Sequence, residues 1–330
     1  MKLTFEKIKA IVNGAARITE ENGVIHFCRF TDAQEQMYKQ TNDGFYQKTL
    51  ATAGIRLEFT TDSRRLFMAA RCFAGSSRTY FNHDIYVNGE HRWSLGGNLK
   101  GADGIAPLTV SGEYDLGDGD KTVKIYFPWS VGSELISLEL DDGATVTPVS
   151  HSCKMILFGD SITHGYDTVN PSHSYASRLV DALDAFAINK GIGGEVFRPE
   201  LARLADSFTP DYITVAYGTN DWNHQKGELF ERFSEEFYTS LATLYPTARI
   251  FAFSPIWRGD RDRITDVGAF SHVLEKLCEI AAGIPTMTVI DCTDLIPHTP
   301  EMFSPDVLHP NDNGFSYYSD GLIKSIKSYI

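Results

Sequence analysis

No stretch of the 330-residue chain approaches the length of an apolar membrane span, which needs about 20 consecutive apolar residues. The residues that follow Met1, Lys2-Leu3-Thr4-Phe5-Glu6-Lys7, lack the apolar core of a leader peptide. The expectation is therefore a cytoplasmic protein without a membrane partner. Its cysteines, Cys28, Cys72, Cys153, Cys278 and Cys292, are odd in number and never form a Cys-x-x-Cys pair, which predicts reduced, mostly buried thiols. Basic runs are missing too, and the net charge is -13. That balance excludes a phosphate-binding face and with it a nucleic-acid partner. No His-x-x-x-His or clustered ligand spacing offers to hold an ion, so no metal is expected. There is no internal repeat. The oligomeric state is not legible in the sequence.

What the chain does have is ordinary globular composition, 42% apolar and 12% aromatic, arranged in two contrasting halves. From Gly23 to about Val149 it reads as strands punctuated by turns. Ile55 to Thr60, Lys121 to Phe127 and Glu134 to Leu140 alternate apolar and polar residues with period two. Leu66 to Phe73 is more continuously apolar. Asp84 to Val87 runs into Asn88-Gly89, a strong hairpin signal. Another tight turn, Gly117 to Asp120, follows Glu113 to Leu116. Many short strands at this spacing predict an all-β sandwich of jelly-roll type over residues 1–150. Its aromatics Tyr80, Phe81, Trp93 and Trp129 read as core packing, with a platform for sugar rings as the alternative.

Beyond residue 150 the pattern changes to alternating strand and helix. Apolar strands are expected at Lys154–Phe158, Ala185–Asn189, Asp211–Tyr217, Arg249–Phe253 and Met287–Asp291. Helical patterns cover about 173–185, 199–205, 227–244, 267–282 and 313–328, the last capped by Asn311 or Asn313. Alternation of this kind predicts a parallel sheet with helices on both faces over residues 151–330.

The chemically informative residues sit where these strands end, which is where open α/β sheets place their chemistry. Gly159-Asp160-Ser161 follows the first strand and opens a helix, whose free N–H groups favour a developing anion. Asn189-Lys190-Gly191-Ile192-Gly193-Gly194 follows the second, and its glycines permit a ligand to approach main-chain N–H groups. The pattern is not Gly-x-Gly-x-x-Gly, so no nucleotide cofactor is expected. Gly218-Thr219-Asn220-Asp221 follows the third strand and aims an amide across the sheet top. After the fifth, Asp306-Val307-Leu308-His309 places a carboxylate within one turn of an imidazole, as a general base requires. Asp291 and Asp294 remain alternative orienting acids.

Together these four stretches resemble the SGNH (GDSL-type) hydrolase family of esterases and acylhydrolases. The match runs in the family's order over about residues 150–330. The resemblance implies a flavodoxin-like three-layer α/β/α domain in which Ser161 is the nucleophile, His309 the base and Asp306 its orienting acid. It also implies an oxyanion hole made of the Ser161 and Gly194 N–H groups and the Asn220 amide. Ile162 stands where the family usually has leucine. A β-sandwich ahead of such a domain is similar to family-two carbohydrate esterases.

The function implied is a serine esterase acting on small acyl groups, O-acetyl on a carbohydrate foremost, through an acyl-serine and without a cofactor. Trp222, Trp257 and Arg258 are expected to border the substrate. A lipid or thioester acylhydrolase is the first alternative; a glycan-binding protein with a vestigial hydrolase half is the second.

Overall fold

The structure, a computed structural model, describes residues 1–330. Two antiparallel sheets face each other in the first half. One orders Val12–Asn13, Arg56–Thr61, Lys121–Tyr126, Tyr80–Val87 and Glu90–Asn98, with Thr147–Pro148 also on Arg56–Thr61; the other orders Leu108–Asp115, Arg65–Ala74, Val131–Leu140, Val24–Cys28 and Arg17–Glu21. Period-two alternation turns Leu57, Phe59, Ile85 and Ile125 of one sheet toward Met68, Leu135 and Leu138 of the other. The Asn88-Gly89 turn forms as expected, both residues left-handed (φ +52° and +81°) between paired Val87 and Glu90.

Helices interrupt this half where only strands were expected from Gly23 onward. Asp32–Thr41 and Asp43–Thr49 are helical, and so, nearer the start, is Phe5–Ile11. Thr31 and Gln34 form a reciprocal capping box at the Asp32–Thr41 helix. Its Tyr38 and the preceding Phe30 do not join the sandwich core. They pack with Ile156, Phe197 and Tyr217 of the second half.

The second half holds a five-stranded parallel sheet. Its spatial order is Ala185–Asn189, Cys153–Gly159, Tyr212–Ala216, Arg249–Phe253, Met287–Ile290. That is the flavodoxin-like order, with the crevice at the switch point between the first and third strands. Strands buried on both faces split their apolar residues between two layers. Met155 and Leu157 meet Tyr175, Leu179, Phe315 and Leu322 of helices Tyr175–Ala182 and Asp312–Lys327. Ile156 and Phe158 meet Phe237, Leu241, Val273 and Leu277 of helices Gly227–Leu244 and His272–Gly283. Asn311 caps the final helix by accepting from the Asn313 and Gly314 N–H groups. One short helix, Thr219–His224, was not anticipated from the pattern.

A polar seam joins the halves. Asn13 donates its amide to the Ala185 carbonyl and accepts from the Ala187 N–H, each at 3.0 Å, so it satisfies the edge strand of the parallel sheet. Lys124 bridges Glu58 and Asp181 at 2.9 and 2.6 Å. No helix is long and apolar enough to cross a membrane.

Candidate active site

Ser161 is the first residue of a single helical turn, Ser161–His164, directly after the Cys153–Gly159 strand. Asp160 caps that turn by accepting the Ile162 N–H at 2.9 Å. Burial pushes the Asp160 carboxyl up to about 6, against that bond and the nearby His309 and Arg258. Gly159 has to be glycine: a Cβ there would lie 1.9 Å from Thr163 Oγ1 and 3.0 Å from the Ala216 carbonyl. The sharp strand-to-helix turn follows from that close approach.

His309 arrives from 148 positions away, with Nε2 2.7 Å from Ser161 Oγ. Its Nδ1 lies 2.5 Å from Asp306 Oδ2, while Asp306 Oδ1 accepts the Leu308 and His309 N–H groups at 3.0 Å each. A carboxylate can only accept, so Nδ1 carries the proton and Nε2 is left to accept from the serine hydroxyl. Burial pushes the Asp306 carboxyl up, but the bonds from the His309 ring and from the two N–H groups outweigh it. They hold Asp306 well below the usual carboxylate range. Between the two side chains Val307 is left-handed at φ +52°, a conformation that costs a β-branched residue about 1–3 kcal/mol. The turn tolerates it because Val307 is tied on both sides, donating to Ser304 and accepting from the Gly259 N–H.

Opposite lies the 189–195 loop. Gly194 is left-handed at φ +84°, and neither its N–H nor that of Ser161 donates to another group of the chain. Asn220 Nδ2 donates to the Glu195 carbonyl at 3.0 Å, which leaves the amide's second N–H for another acceptor. Asp221 fastens the loop to the third strand's end, accepting from the Phe197 and Gly218 N–H groups at 2.9 and 3.0 Å. A hydroxyl bonded to an oriented imidazole, beside N–H groups without partners, is equipped for attack on an acyl carbon.

Residues 157–316 match the profile of the GDSL-like lipase/acylhydrolase family. They belong to that family. Among solved structures, the salicylyl-acyltransferase SsfX3 from a tetracycline biosynthetic pathway is 20% identical at a TM-score of 0.82, over 96% of this chain and 94% of that one. An acetyl xylan esterase from the rumen bacterium Butyrivibrio proteoclasticus is 15% identical, with a TM-score of 0.65 over 100% and 97%. A family-two carbohydrate esterase from Clostridium thermocellum, in complex with cellohexaose, is 16% identical, with a TM-score of 0.64 over 84% and 93%. These likenesses cover the β-sandwich as well as the α/β domain, and they show the fold. Curated protein sequences gave no match. The chain thus carries a GDSL-type acylhydrolase domain.

Side chains from the first half hold the loop of this GDSL domain in place. The buried Arg29 guanidinium donates to the carbonyls of Asn189 and Gly191 at 2.7 and 3.0 Å, and to those of Ala51 and Lys48. Lys48 Nζ reaches the Gly193 carbonyl at 2.6 Å. Within the loop Lys190 is fully buried, donating to the Arg29 carbonyl and to Gln34 Oε1 and pairing with Asp206 at 2.6 Å. Burial pushes its ammonium down to about 8, against the pull of Asp206. Nothing in the spacing of Arg29 or Lys48 marks them in the sequence; tertiary contact alone brings them here.

Two of the three expected substrate-bordering residues, Trp222 and Arg258, face inward. Trp222 is wholly buried in the core and its indole donates to the Gly268 carbonyl. Arg258 is 5% exposed and spends its guanidinium on Asp260, the Thr219 carbonyl and hydroxyl, and the face of Trp222. Both brace the third and fourth strand ends from within. Trp257 is half-buried, stacked on His298 and packed on Phe303. The suggested sugar platform is not one surface either. Phe81 and Trp129 are buried, and Trp93 pairs with Tyr114. Asp291 instead accepts from Ser254 and the Thr293 N–H, and Asp294 pairs with His298. One cluster escaped the sequence reading: Asp167, Asp306 and His309 bring oxygen and nitrogen atoms within 4.8 Å of one another. Both ring nitrogens of His309 are already engaged there, so an ion would have to break the contact with Asp306 or Ser161. The cysteines are all unpaired, with Cys278 exposed.

Proposed function

We propose that this chain is a serine esterase that removes small acyl groups, O-acetyl foremost, from a carbohydrate alcohol. The observation that carries the reading is the continuous path from Asp306 through His309 to Ser161 Oγ, at 2.5 and 2.7 Å, together with the unpartnered N–H groups of Ser161 and Gly194. In this reading His309 Nε2 takes the hydroxyl proton as Ser161 Oγ bonds to the acyl carbon. The oxyanion accepts from the Ser161 and Gly194 N–H groups and from the free N–H of Asn220. His309 then gives its proton to the departing alcohol, and a water deprotonated by the same nitrogen releases the acid from Ser161. Residues 151–330 serve as the catalytic domain. Residues 1–150 serve as the accessory sandwich, with segment 30–49 built against the oxyanion loop.

The acetyl and carbohydrate parts of the reading draw on the acetyl xylan esterase and the cellohexaose-bound esterase among the structural relatives. The test is a series of chromogenic acetate, butyrate and octanoate esters beside an acetylated xylo-oligosaccharide, each against Ser161→Ala. Preference for acetate, release of acetate from the oligosaccharide and loss of both in the variant are expected. Preference for octanoate would move the chain to the lipid and thioester hydrolases.

A further inference from the structure

A second carboxylate stands beside His309. Asp167 Oδ2 lies 3.7 Å from His309 Nδ1, beyond hydrogen-bond range and on the same nitrogen that Asp306 holds at 2.5 Å. Asp167 has another partner. Arg78, from the sandwich, takes both oxygens of Asp167 in a fork, Nε to Oδ1 at 2.8 Å and Nη2 to Oδ2 at 3.0 Å. The same guanidinium lies 5.4 Å over the Tyr166 ring, and Tyr166 stacks on the His309 ring at 5.5 Å. Asp167 itself is held in the left-handed region at φ +69°. A residue kept there is over-determined by its surroundings, and such residues gather at working sites. Its side chain is 11% exposed, too enclosed to be a solvated surface carboxylate.

We propose that Asp167 is a reserve positioning residue for His309, restrained by Arg78, through which the N-terminal half acts on the catalytic imidazole. The proposal rests on His309 being the base of the reaction proposed above. While Asp306 is present, the bidentate pair with Arg78 is the better partner for Asp167. If Asp306 is removed, Nδ1–H loses its acceptor, and Asp167 needs to close the gap by only about 1 Å to reach bonding distance. No bond to carbon and no net proton transfer is involved. The carboxylate supplies orientation and a counter-charge to the imidazolium that forms transiently.

The test is a mutant cycle on the full chain, read as kcat and KM on a chromogenic acetate ester, with Ser161→Ala as the baseline. Asp167→Asn alone should cost no more than about threefold in kcat. Asp306→Ala should cost about 10²-fold, short of the 10⁴ or so recorded when a triad acid is lost without substitute. Asp306→Ala with Asp167→Asn should fall at least a further tenfold in kcat with KM little changed. Adding Arg78→Ala to Asp306→Ala should instead restore activity several-fold, because the reserve carboxylate is released. A purely structural Arg78 would make the double variant worse, not better. Asp306→Ala activity that is indifferent to Asp167→Asn overturns the proposal, and that arm changes nothing in the sandwich should Arg78 variants fold poorly. Wild-type activity that survives Ser161→Ala would instead sink the esterase reading, which keeps the two failures distinct.

Discussion

Lys48 Nζ donates a 2.6 Å hydrogen bond to the Gly193 carbonyl, and that carbonyl belongs to the same peptide group as the Gly194 N–H. An ammonium on the oxygen side of a peptide polarises the N–H on the other side and fixes its direction. Lys48→Met should therefore lower kcat for acetate esters by about five- to tenfold while leaving KM near wild type, with Lys48→Arg keeping most of the rate. Steady-state kinetics on the three proteins check this. A change confined to KM would mean that Lys48 meets the substrate and not the oxyanion.

Asn220 offers the one side-chain donor of the proposed oxyanion hole. Removing such a donor costs about 3–4 kcal/mol in the barrier, or about 10²–10³ in kcat. Asn220→Ala should show that loss with its circular dichroism unchanged. A loss below about threefold would leave the oxyanion to the backbone groups alone.

Stability in acid should depend on a histidine far from the chemistry. His83 is fully buried, with Nδ1 3.1 Å from the Leu95 carbonyl and Nε2 2.8 Å from Ser133 Oγ. The carbonyl fixes the proton on Nδ1, and Ser133 donates to Nε2, so the neutral ring is satisfied. Burial pushes His83 down to about 4, against the Leu95 bond, whereas an unfolded histidine titrates near 6.5. Between those values the unfolded chain binds more protons, so stability falls as the pH drops from about 6.5 toward 4. The loss traceable to His83 should be on the order of 2–3 kcal/mol. Urea midpoints at pH 7 and 4.5 should show a shallower acid loss in His83→Gln than in the wild type. Equal losses in the two proteins would exclude His83 as the source.

Much of the α/β half is legible in the sequence because its signals are local. Each parallel strand is a short apolar run, and Ser161, Gly194, Asn220 and His309 all follow strand or loop ends that the pattern marks. The helices at 32–49 are harder to see: they are polar, and Tyr38 earns its burial only against the other half of the molecule. Their start was nonetheless written as Thr31 with Gln34 three residues on. Position in a loop says nothing about direction, which is why Trp222 and Arg258 read as pocket walls and turn out to be inner braces. Arg29, Lys48, Arg78 and Asp167 carry no local signal at all. Their partners across the seam between the halves lie 89 to 162 positions away in the chain.

In the proposed reaction Ser161 Oγ, activated by His309, is the atom that bonds to the acyl group. Labelling the intact protein with a fluorophosphonate, followed by peptide mass mapping, tests it most directly, since that reagent phosphonylates an activated serine and stays attached. A single phosphonyl group is expected on the peptide containing Ser161, blocked by Ser161→Ala and strongly slowed in His309→Ala. A label on another residue, or a fully unlabelled protein that still hydrolyses acetate esters, would contradict it.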